Sequence, residues 1–256
     1  MYTNFKHSNT YYTRSGQGSA VVLLHGFLES STMWHFIIPQ LSEKHTVINI
    51  DLLGHGNSES VGYIHTIEEM RDQVKAVLDA ENINSATFIG HSMGGYVVLA
   101  FAEKYNDRVE KLVLLNSSSV ADSKERKENR DRAIALVKKN KDTFLSMTLS
   151  NLFAEKNREK LAKEIQELKK EAFKMTAQGI IASIEGMKIR KNRTPVLQKF
   201  SKPKYIITAI EDPIIPIDDV QKLAEKTGST LHKIQGGHMS TIETPEELAE
   251  IIKEII

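Results

Sequence analysis

The chain has 256 residues, of which 40% are hydrophobic, so it is long and apolar enough to bury the core of one large domain. The formal net charge is +1, which gives no global case for a protein that binds nucleic acid or a membrane surface. The absence of cysteine excludes disulfide bonds, thiolate catalysis and cysteine-ligated metal sites.

The N-terminal part of the chain predicts the edge of a β-sheet. Residues 1–7 are polar and lack an apolar run of signal-peptide length, and no stretch reaches the roughly 20 apolar residues of a membrane span. These features favour a cytoplasmic protein. Residues 3–14 alternate loosely before a glycine turn, which predicts an edge hairpin. The apolar run Ala20–Leu24 then predicts a strand that is buried on both faces of a parallel sheet.

Helices and strands alternate over the residues that follow. Apolar side chains at helical spacing predict a helix within Ser30–Leu41. A capping box at Thr66-Ile67-Glu68-Glu69 predicts the start of another helix. Strands are predicted over Thr46–Ile50, Ala86–Ile89 and Val109–Leu115, with a helix over Tyr96–Tyr105.

The pattern changes between Ser117 and Phe200, where no strand-like run occurs. Apolar residues recur there at helical spacing, which predicts several helices inserted between two strands. The later predicted elements are strands over Lys204–Ala209 and Thr230–Ile234, a helix over Ile217–Lys226, and a last helix capped by Thr244 and Pro245. The predicted fold is therefore α/β, with a mostly parallel sheet covered by helices on both faces. Residues 1–116 and 201–256 form its predicted core, and residues 117–200 form a helical cap inserted within the same structural domain.

The segment Gly90-His91-Ser92-Met93-Gly94 has the pattern G-x-S-x-G between a predicted strand and a predicted helix. A serine in such a sharp turn points its hydroxyl outward at the end of the sheet, and small flanking residues let the chain reverse. The start of the helix also offers free N–H groups to developing negative charge. Ser92 is therefore a candidate nucleophile, although the pattern also arises by chance around an ordinary serine.

A nucleophilic serine needs a base, and the base needs an orienting acid. Both are expected in loops after strands, because ligands bind at the carboxyl ends of the strands in open α/β sheets. Asp212 follows the strand at Lys204–Ala209, and His238 follows the last strand in a Gly-Gly loop. The chain order Ser92, Asp212, His238 is the order typical of this strand–turn–helix motif.

Other residues compete for these roles. The alternative acids are Glu211, Asp218 and Asp219, of which Glu211 is expected to be a solvated neighbour of Asp212. His25 and His55 lie in glycine loops that we expect them to brace by hydrogen bonds. His91 precedes the serine directly and is expected to point away from it. The histidines expected at the surface are His7, His35, His45, His65 and His232.

An oxyanion that forms during acyl transfer needs two backbone N–H donors. Met93, the residue after the candidate nucleophile, is expected to supply one of them. Phe27 is expected to supply the second, because it follows His25-Gly26 in the loop after the strand Ala20–Leu24. A plain turn is the alternative interpretation of the His-Gly pair.

Five motifs together resemble the α/β-hydrolase family, in particular its small serine carboxylesterases and enol-lactonases. The motifs are His25-Gly26-Phe27, Asp51-Leu52-Leu53-Gly54-His55-Gly56-Asn57-Ser58, Gly90-His91-Ser92-Met93-Gly94-Gly95, Asp212 with Pro216, and Gly237-His238. They span nearly the whole chain, but Ala209 stands where the family usually has glycine, and the predicted cap carries no assignable motif. In overall layout the chain is similar to carboxylesterases that act on pimeloyl-carrier methyl esters and to 3-oxoadipate enol-lactonases.

The resemblance implies acyl transfer to water without a metal or cofactor. Ser92 would attack an ester carbonyl after His238 takes its proton, Asp212 would hold the imidazole, and the amides of Phe27 and Met93 would bind the oxyanion. Alternatives are a lactonase, a carbon–carbon bond hydrolase or a lyase on the same scaffold, or a small-molecule receptor. The expected partner is a small-molecule ester, with neither nucleic acid nor a membrane span; the sequence leaves the oligomeric state open.

Four residues are candidates for contact with the substrate. Trp34 follows the predicted oxyanion loop and Met239 follows the predicted base, although each also fits a role in the core. Residues 117–200 contain 20 basic and 11 acidic residues, an excess that fits an anionic or carrier-linked substrate, although solvated helix surfaces also account for it. Arg190 and Arg193, at the exit from this segment, are the candidates for that contact.

Overall fold

The computed structural model describes all 256 residues. Its strands are β1 (Tyr2–Phe5), β2 (Ser8–Ser15), β3 (Ser19–Leu24), β4 (His45–Ile50), β5 (Ala86–His91), β6 (Val109–Leu115), β7 (Lys204–Ala209) and β8 (Thr230–Ile234). They form one eight-stranded sheet in the order β1-β2-β4-β3-β5-β6-β7-β8. The pairs β1–β2 and β2–β4 are antiparallel, and all other neighbours are parallel. The predicted edge hairpin and mostly parallel sheet are confirmed.

Helices cover both faces of this sheet. They are α1 (Ile37–Leu41), α2 (Ile67–Ala80), α3 (Met93–Lys104), α4 (Lys124–Lys139), α5 (Lys141–Ser150), α6 (Ala162–Phe173), α7 (Ala177–Lys188), α8 (Thr194–Lys199), α9 (Ile217–Thr227), α10 (Ser240–Glu243) and α11 (Pro245–Ile255). The five helices α4–α8 lie between β6 and β7, as predicted for an inserted helical segment. None of the helices is both long enough and apolar enough to cross a membrane.

Alternation along the strands divides the core into two layers. On β3, Val22 and Leu24 face the cluster that includes α2 and α3, whereas Val21 and Leu23 face the cluster that includes α1 and α11. The first cluster also takes in apolar side chains of the inserted segment, namely Met187, Leu197 and Phe200. A third cluster joins α4–α7 to the loops above the carboxyl ends of the strands.

The predicted helix at Ser30–Leu41 is divided into two short pieces. Ser31–Trp34 forms a 3₁₀ turn, and α1 begins only at Ile37. Pro39 accounts for the break, because proline has no N–H to donate to the carbonyl of His35 and its ring clashes with that carbonyl in a continuous α-helix. The last helix begins at Pro245 as expected, but the Thr244 hydroxyl donates to carbonyls of Gln235 and Ser240 instead of capping the helix.

His65 is buried, so the prediction that it lies at the surface is wrong. Its Nε2 accepts a hydrogen bond from the Val61 N–H, and its backbone N–H donates to the carbonyl of Ala182 on α7. A side chain at Gly186 would place a Cβ 1.7 Å from the His65 carbonyl oxygen, so glycine permits this close contact. His65 thus packs the loop before α2 against the inserted segment.

We expect the protein to lose stability in mild acid partly through His65. Burial lowers its pKa from 6.5 to about 4, so the unfolded chain binds the proton first as the pH falls. The full contribution of His65 is present above about pH 6.5 and disappears by about pH 4, a loss of about 3 kcal/mol. Urea denaturation at several pH values measures this effect, with His65→Gln as the comparison. Equal pH slopes for the two proteins would contradict it.

Candidate active site

Ser92 lies in a strained turn between β5 and α3. Its φ of 49° and ψ of −114° belong to a sparsely populated region, which is maintained only where the surroundings enforce it. The surroundings are tight: a Cβ at Gly90 would come within 2.5 Å of Gly94, and one at Gly94 within 2.4 Å of the Leu24 carbonyl. The Ser92 N–H donates to the carbonyl of Leu115 on β6. The predicted strand–turn–helix setting of Ser92 is therefore present.

The side chains of Ser92, His238 and Asp212 form a hydrogen-bonded chain. His238 Nε2 lies 2.9 Å from Ser92 Oγ, and His238 Nδ1 lies 2.7 Å from Asp212 Oδ2. The other Asp212 oxygen accepts the N–H groups of Ile214 and Ile215. Burial opposes the charge of Asp212, but His238 and these two amides hold its pKa below the ordinary value. The carboxylate is thus ionised and fixed toward the imidazole.

Glu211, the competing acid, points elsewhere. It forms an ion pair with Lys156 at 2.6 Å and makes no contact with His238. The three hydrogen-bonded residues come from the loops after β5, β7 and β8. These loops meet because the carboxyl ends of parallel strands lie at one edge of the sheet.

Asn116 holds the His238 loop in place, a contact that the sequence analysis did not predict. It directly follows β6 with a φ of 43°, and its side-chain amide donates to the carbonyls of Gly237 and His238 at 3.0 and 3.2 Å. The Ser240 hydroxyl donates to its amide oxygen. An asparagine at the end of a strand tolerates the left-handed conformation better than most residues, and this is the signal that could have identified it.

The two predicted oxyanion donors have free amides. Neither the N–H of Phe27 nor that of Met93 donates a hydrogen bond within the chain. Phe27 and Ser92 line the same cavity. His25 braces the Phe27 loop as expected, because its Nε2 accepts the Leu52 N–H at 2.9 Å. His55 likewise contacts the carbonyl of Leu53 in the loop after β4.

A buried pair of Glu29 and His91 links three loops of the site. His91 Nδ1 lies 2.9 Å from a Glu29 carboxylate oxygen, and His91 Nε2 donates to the His238 carbonyl at 2.8 Å. The same carboxylate accepts the Gly26 N–H at 2.7 Å. Burial opposes both charges, but their attraction prevails, lowering the pKa of Glu29 and raising the pKa of His91. The pair is therefore ionic and ties the loop that contains Gly26 and the Ser92 turn to the His238 loop.

Replacing Glu29 by alanine is expected to lower the free energy of unfolding by about 3–5 kcal/mol, because it leaves the buried His91 charge unpaired. Glu29→Gln should cost less, since its amide oxygen still accepts the Gly26 N–H. Chemical denaturation measures both variants. Glu128→Ala, which removes an exposed carboxylate from α4, is the control and should stay within about 0.5 kcal/mol of the parent. A loss for Glu29→Ala no larger than for the control would show that the pair contributes nothing to stability.

Ser92 and His238 open into a cavity of about 350 Å³ beneath the inserted helices. Its apolar wall is formed by side chains of the core and of α5 and α7, including Phe27, Phe144, Leu152, Ile184 and Met187. A larger cavity of about 630 Å³ lies between α6 and the segment around the 3₁₀ turn Ser31–Trp34. Glu29 lines both cavities.

Trp34 and Met239 are not among the residues that line the cavity at Ser92, contrary to the expectation that they contact the substrate. Trp34 is fully buried with α1 and α11 on one face of the sheet. Met239 is fully buried in the cluster formed by the inserted helices, because the chain turns into α10 immediately after His238. Both residues are core residues.

Arg190 and Arg193 are also buried, contrary to the prediction that they meet the substrate as surface charges. Arg190 pairs with the buried Asp122 at 2.6 Å and stacks 4.2 Å above the ring of Tyr96. Arg193 pairs with Glu68 at 2.6 Å and Glu103 at 2.9 Å, on α2 and α3. Buried guanidinium groups require such partners. The two arginines bind the C-terminal end of the inserted segment to the core and are not exposed to attract ligands from solution.

Residues 19–245 match the family model of the alpha/beta hydrolase fold. This match covers most of the chain. The protein belongs to the α/β-hydrolase family.

Individual relatives include esterases and lactonases. The 3-oxoadipate enol-lactonase 2 of Acinetobacter baylyi is 25% identical over 96% of this chain and 92% of its own length. A solved structure of a thermophilic esterase from Thermogutta terrifontis, with malate bound, is 29% identical, with a TM-score of 0.92 over 96% of this chain and 92% of that one. Uncharacterized mycobacterial proteins are 33% identical over 106 residues, which is 41% of this chain and only 31% of their length.

Proposed function

We propose that the protein is a serine hydrolase that cleaves a carboxylic ester or a lactone through an acyl-enzyme. The observation that carries this proposal is the hydrogen-bonded chain from Ser92 through His238 to Asp212, whose Ser92 and His238 line one cavity. A serine hydroxyl becomes nucleophilic when a base takes its proton. His238 Nε2 is within reach of that proton, and Asp212 fixes the tautomer and stabilises the imidazolium.

In the proposed reaction Ser92 Oγ attacks the carbonyl carbon while His238 takes the hydroxyl proton. The oxyanion is stabilised by the free N–H groups of Phe27 and Met93, which need no reorganisation as charge develops. His238 then protonates the leaving alcohol, and the carbonyl re-forms as an ester of Ser92. Water attacks this acyl-enzyme with His238 again as the base, which releases the acid and restores the serine.

A lactone follows the same steps, except that the leaving alcohol stays attached to the acyl chain. The similarity to the Acinetobacter enol-lactonase and to the Thermogutta esterase supports both substrate types. We therefore include esters and lactones in one proposal.

Rapid mixing with a nitrophenyl ester tests the proposal. We expect an initial burst of nitrophenol equal to the enzyme concentration, followed by slower turnover, because acylation releases the phenol before deacylation. Mass spectrometry of the quenched protein should find the acyl group on the peptide that contains Ser92. Binding of the ester without release of nitrophenol would indicate a receptor instead of a hydrolase.

A further inference from the structure

Basic side chains outnumber acidic ones among the residues that line the cavity at Ser92. Only one of them, Glu29, is acidic, and its charge is already paired with His91. Two are basic, Arg126 and Arg130, which α4 places over the cavity one turn apart. The cavity therefore faces more positive than free negative charge.

The charged neighbours of Arg130 do not neutralise this excess of positive charge. Arg130 shares the buried carboxylate of Asp122 with Arg190, whose guanidinium group stacks on Tyr96 in the cavity wall. With Arg126, three guanidinium groups surround the cavity and its wall, and Asp122 is the one carboxylate that pairs with any of them. The local excess is thus two positive charges.

Arg126 is the guanidinium group without an acidic partner. It is half-buried, forms no ion pair, and donates one hydrogen bond from Nη2 to the Ile214 carbonyl at 2.8 Å. Its other N–H groups have no acceptor within the chain. A partly buried cation with unused donors is stabilised by a carboxylate, whose two oxygens match the planar guanidinium fork.

We propose that the substrate carries a carboxylate in addition to the scissile ester or lactone, and that Arg126 binds it. This inference rests on the proposed hydrolysis at Ser92, with which Arg126 shares one cavity of about 350 Å³. A cavity of that size suits a small molecule, so a compact acid ester is the class of substrate. Asn129, on the same face of α4, adds an amide donor beside Arg126.

Matched pairs of esters test the inference. The first pair is the para-nitrophenyl half-ester of adipic acid and its uncharged counterpart, in which an isopropyl group replaces the carboxylate. The second pair places the charge on the leaving group, with a carboxy-nitrophenyl and a nitrophenyl ester of one acyl chain. We expect the ratio of kcat/KM, charged over neutral, to exceed one in at least one pair. In that pair Arg126→Gln should lower the ratio by about ten- to a hundredfold, as expected for a lost charge-assisted pair.

Two further variants separate binding from a structural role. Arg126→Lys keeps the charge but not the fork, so it should retain part of the preference. Lys127→Gln removes an exposed charge from the same helix and should leave the ratio unchanged. Equal losses on both esters in Arg126→Gln would mean that Arg126 only holds the loop at Ile214, and would overturn the inference. Hydrolysis of neutral esters with no preference for charge in either pair would overturn it while the proposed function stands.

If no ester is hydrolysed, a binding experiment tests the role of Arg126 separately from the proposed hydrolysis at Ser92. Calorimetric titration of the parent protein with the two esters of the first pair should then show tighter binding of the charged half-ester than of its uncharged counterpart, and Arg126→Gln should remove the difference. Equal binding of both compounds would overturn the role of Arg126 independently of catalysis.

Discussion

Alanine in place of Ser92 is expected to lower kcat for ester hydrolysis by a factor on the order of 10⁴–10⁶. The hydroxyl oxygen is the atom that would bond to the acyl carbon, and it lies 2.9 Å from Nε2 of His238, the proposed base. The fold should survive, because the turn is held by close backbone contacts of Gly90 and Gly94 and not by the Ser92 side chain.

The measurement is a comparison of initial rates with a circular dichroism melt. Ser85→Ala, a partly exposed serine just before β5, is the matched control and should keep parental activity. If Ser92→Ala folds normally and keeps activity within tenfold of the parent, Ser92 is not the nucleophile.

The second large effect is expected at His238. His238→Ala should lower kcat as much as Ser92→Ala, since the serine then has no base. The double variant should have a kcat no lower than that of either single variant, because the two residues act as one unit. Asp212→Asn should lower kcat by a factor on the order of 10⁴, since an amide favours the wrong tautomer of the imidazole.

Glu211→Gln is the matched control for the acid. Glu211 is adjacent to Asp212 in the chain but pairs with Lys156, so its replacement should change kcat by less than tenfold. Inactivation by Glu211→Gln together with a harmless Asp212→Asn would reverse the assignment of the acid.

The placement of Ser92, Asp212 and His238 was accessible to sequence reasoning because it depends on local patterns. A glycine-flanked serine between a strand and a helix fixes the turn, and parallel strands bring the ends of β5, β7 and β8 to one edge. The α/β fold follows from the alternation of apolar runs with helical periodicity. The catalytic roles of these residues remain predictions until the variants are measured.

The contacts that the sequence analysis missed or misplaced all depend on distant residues. Glu29 and His91 are 62 positions apart, and nothing in either segment indicates that they meet. Arg190 and Arg193 lie in a lysine- and arginine-rich stretch, which suggested exposure, but their carboxylate partners come from other elements. Trp34, Met239 and His65 show the same limit, because periodicity gives the face of an element but not what covers it.

The apolar contacts of Met187, Leu197 and Phe200 with the main core bear on how this enzyme family can be recombined. A chimera that exchanges residues 117–200 as one unit would remove these three side chains from the core cluster that includes α2 and α3. It would also leave Glu68 and Glu103 without their partner Arg193. Substrate range is therefore best altered by grafting α4–α6, which supply most of the inserted residues that line the two cavities, while α7 and α8 stay with the scaffold. The inserted segment therefore combines helices that can be exchanged with helices that belong to the main core of the fold.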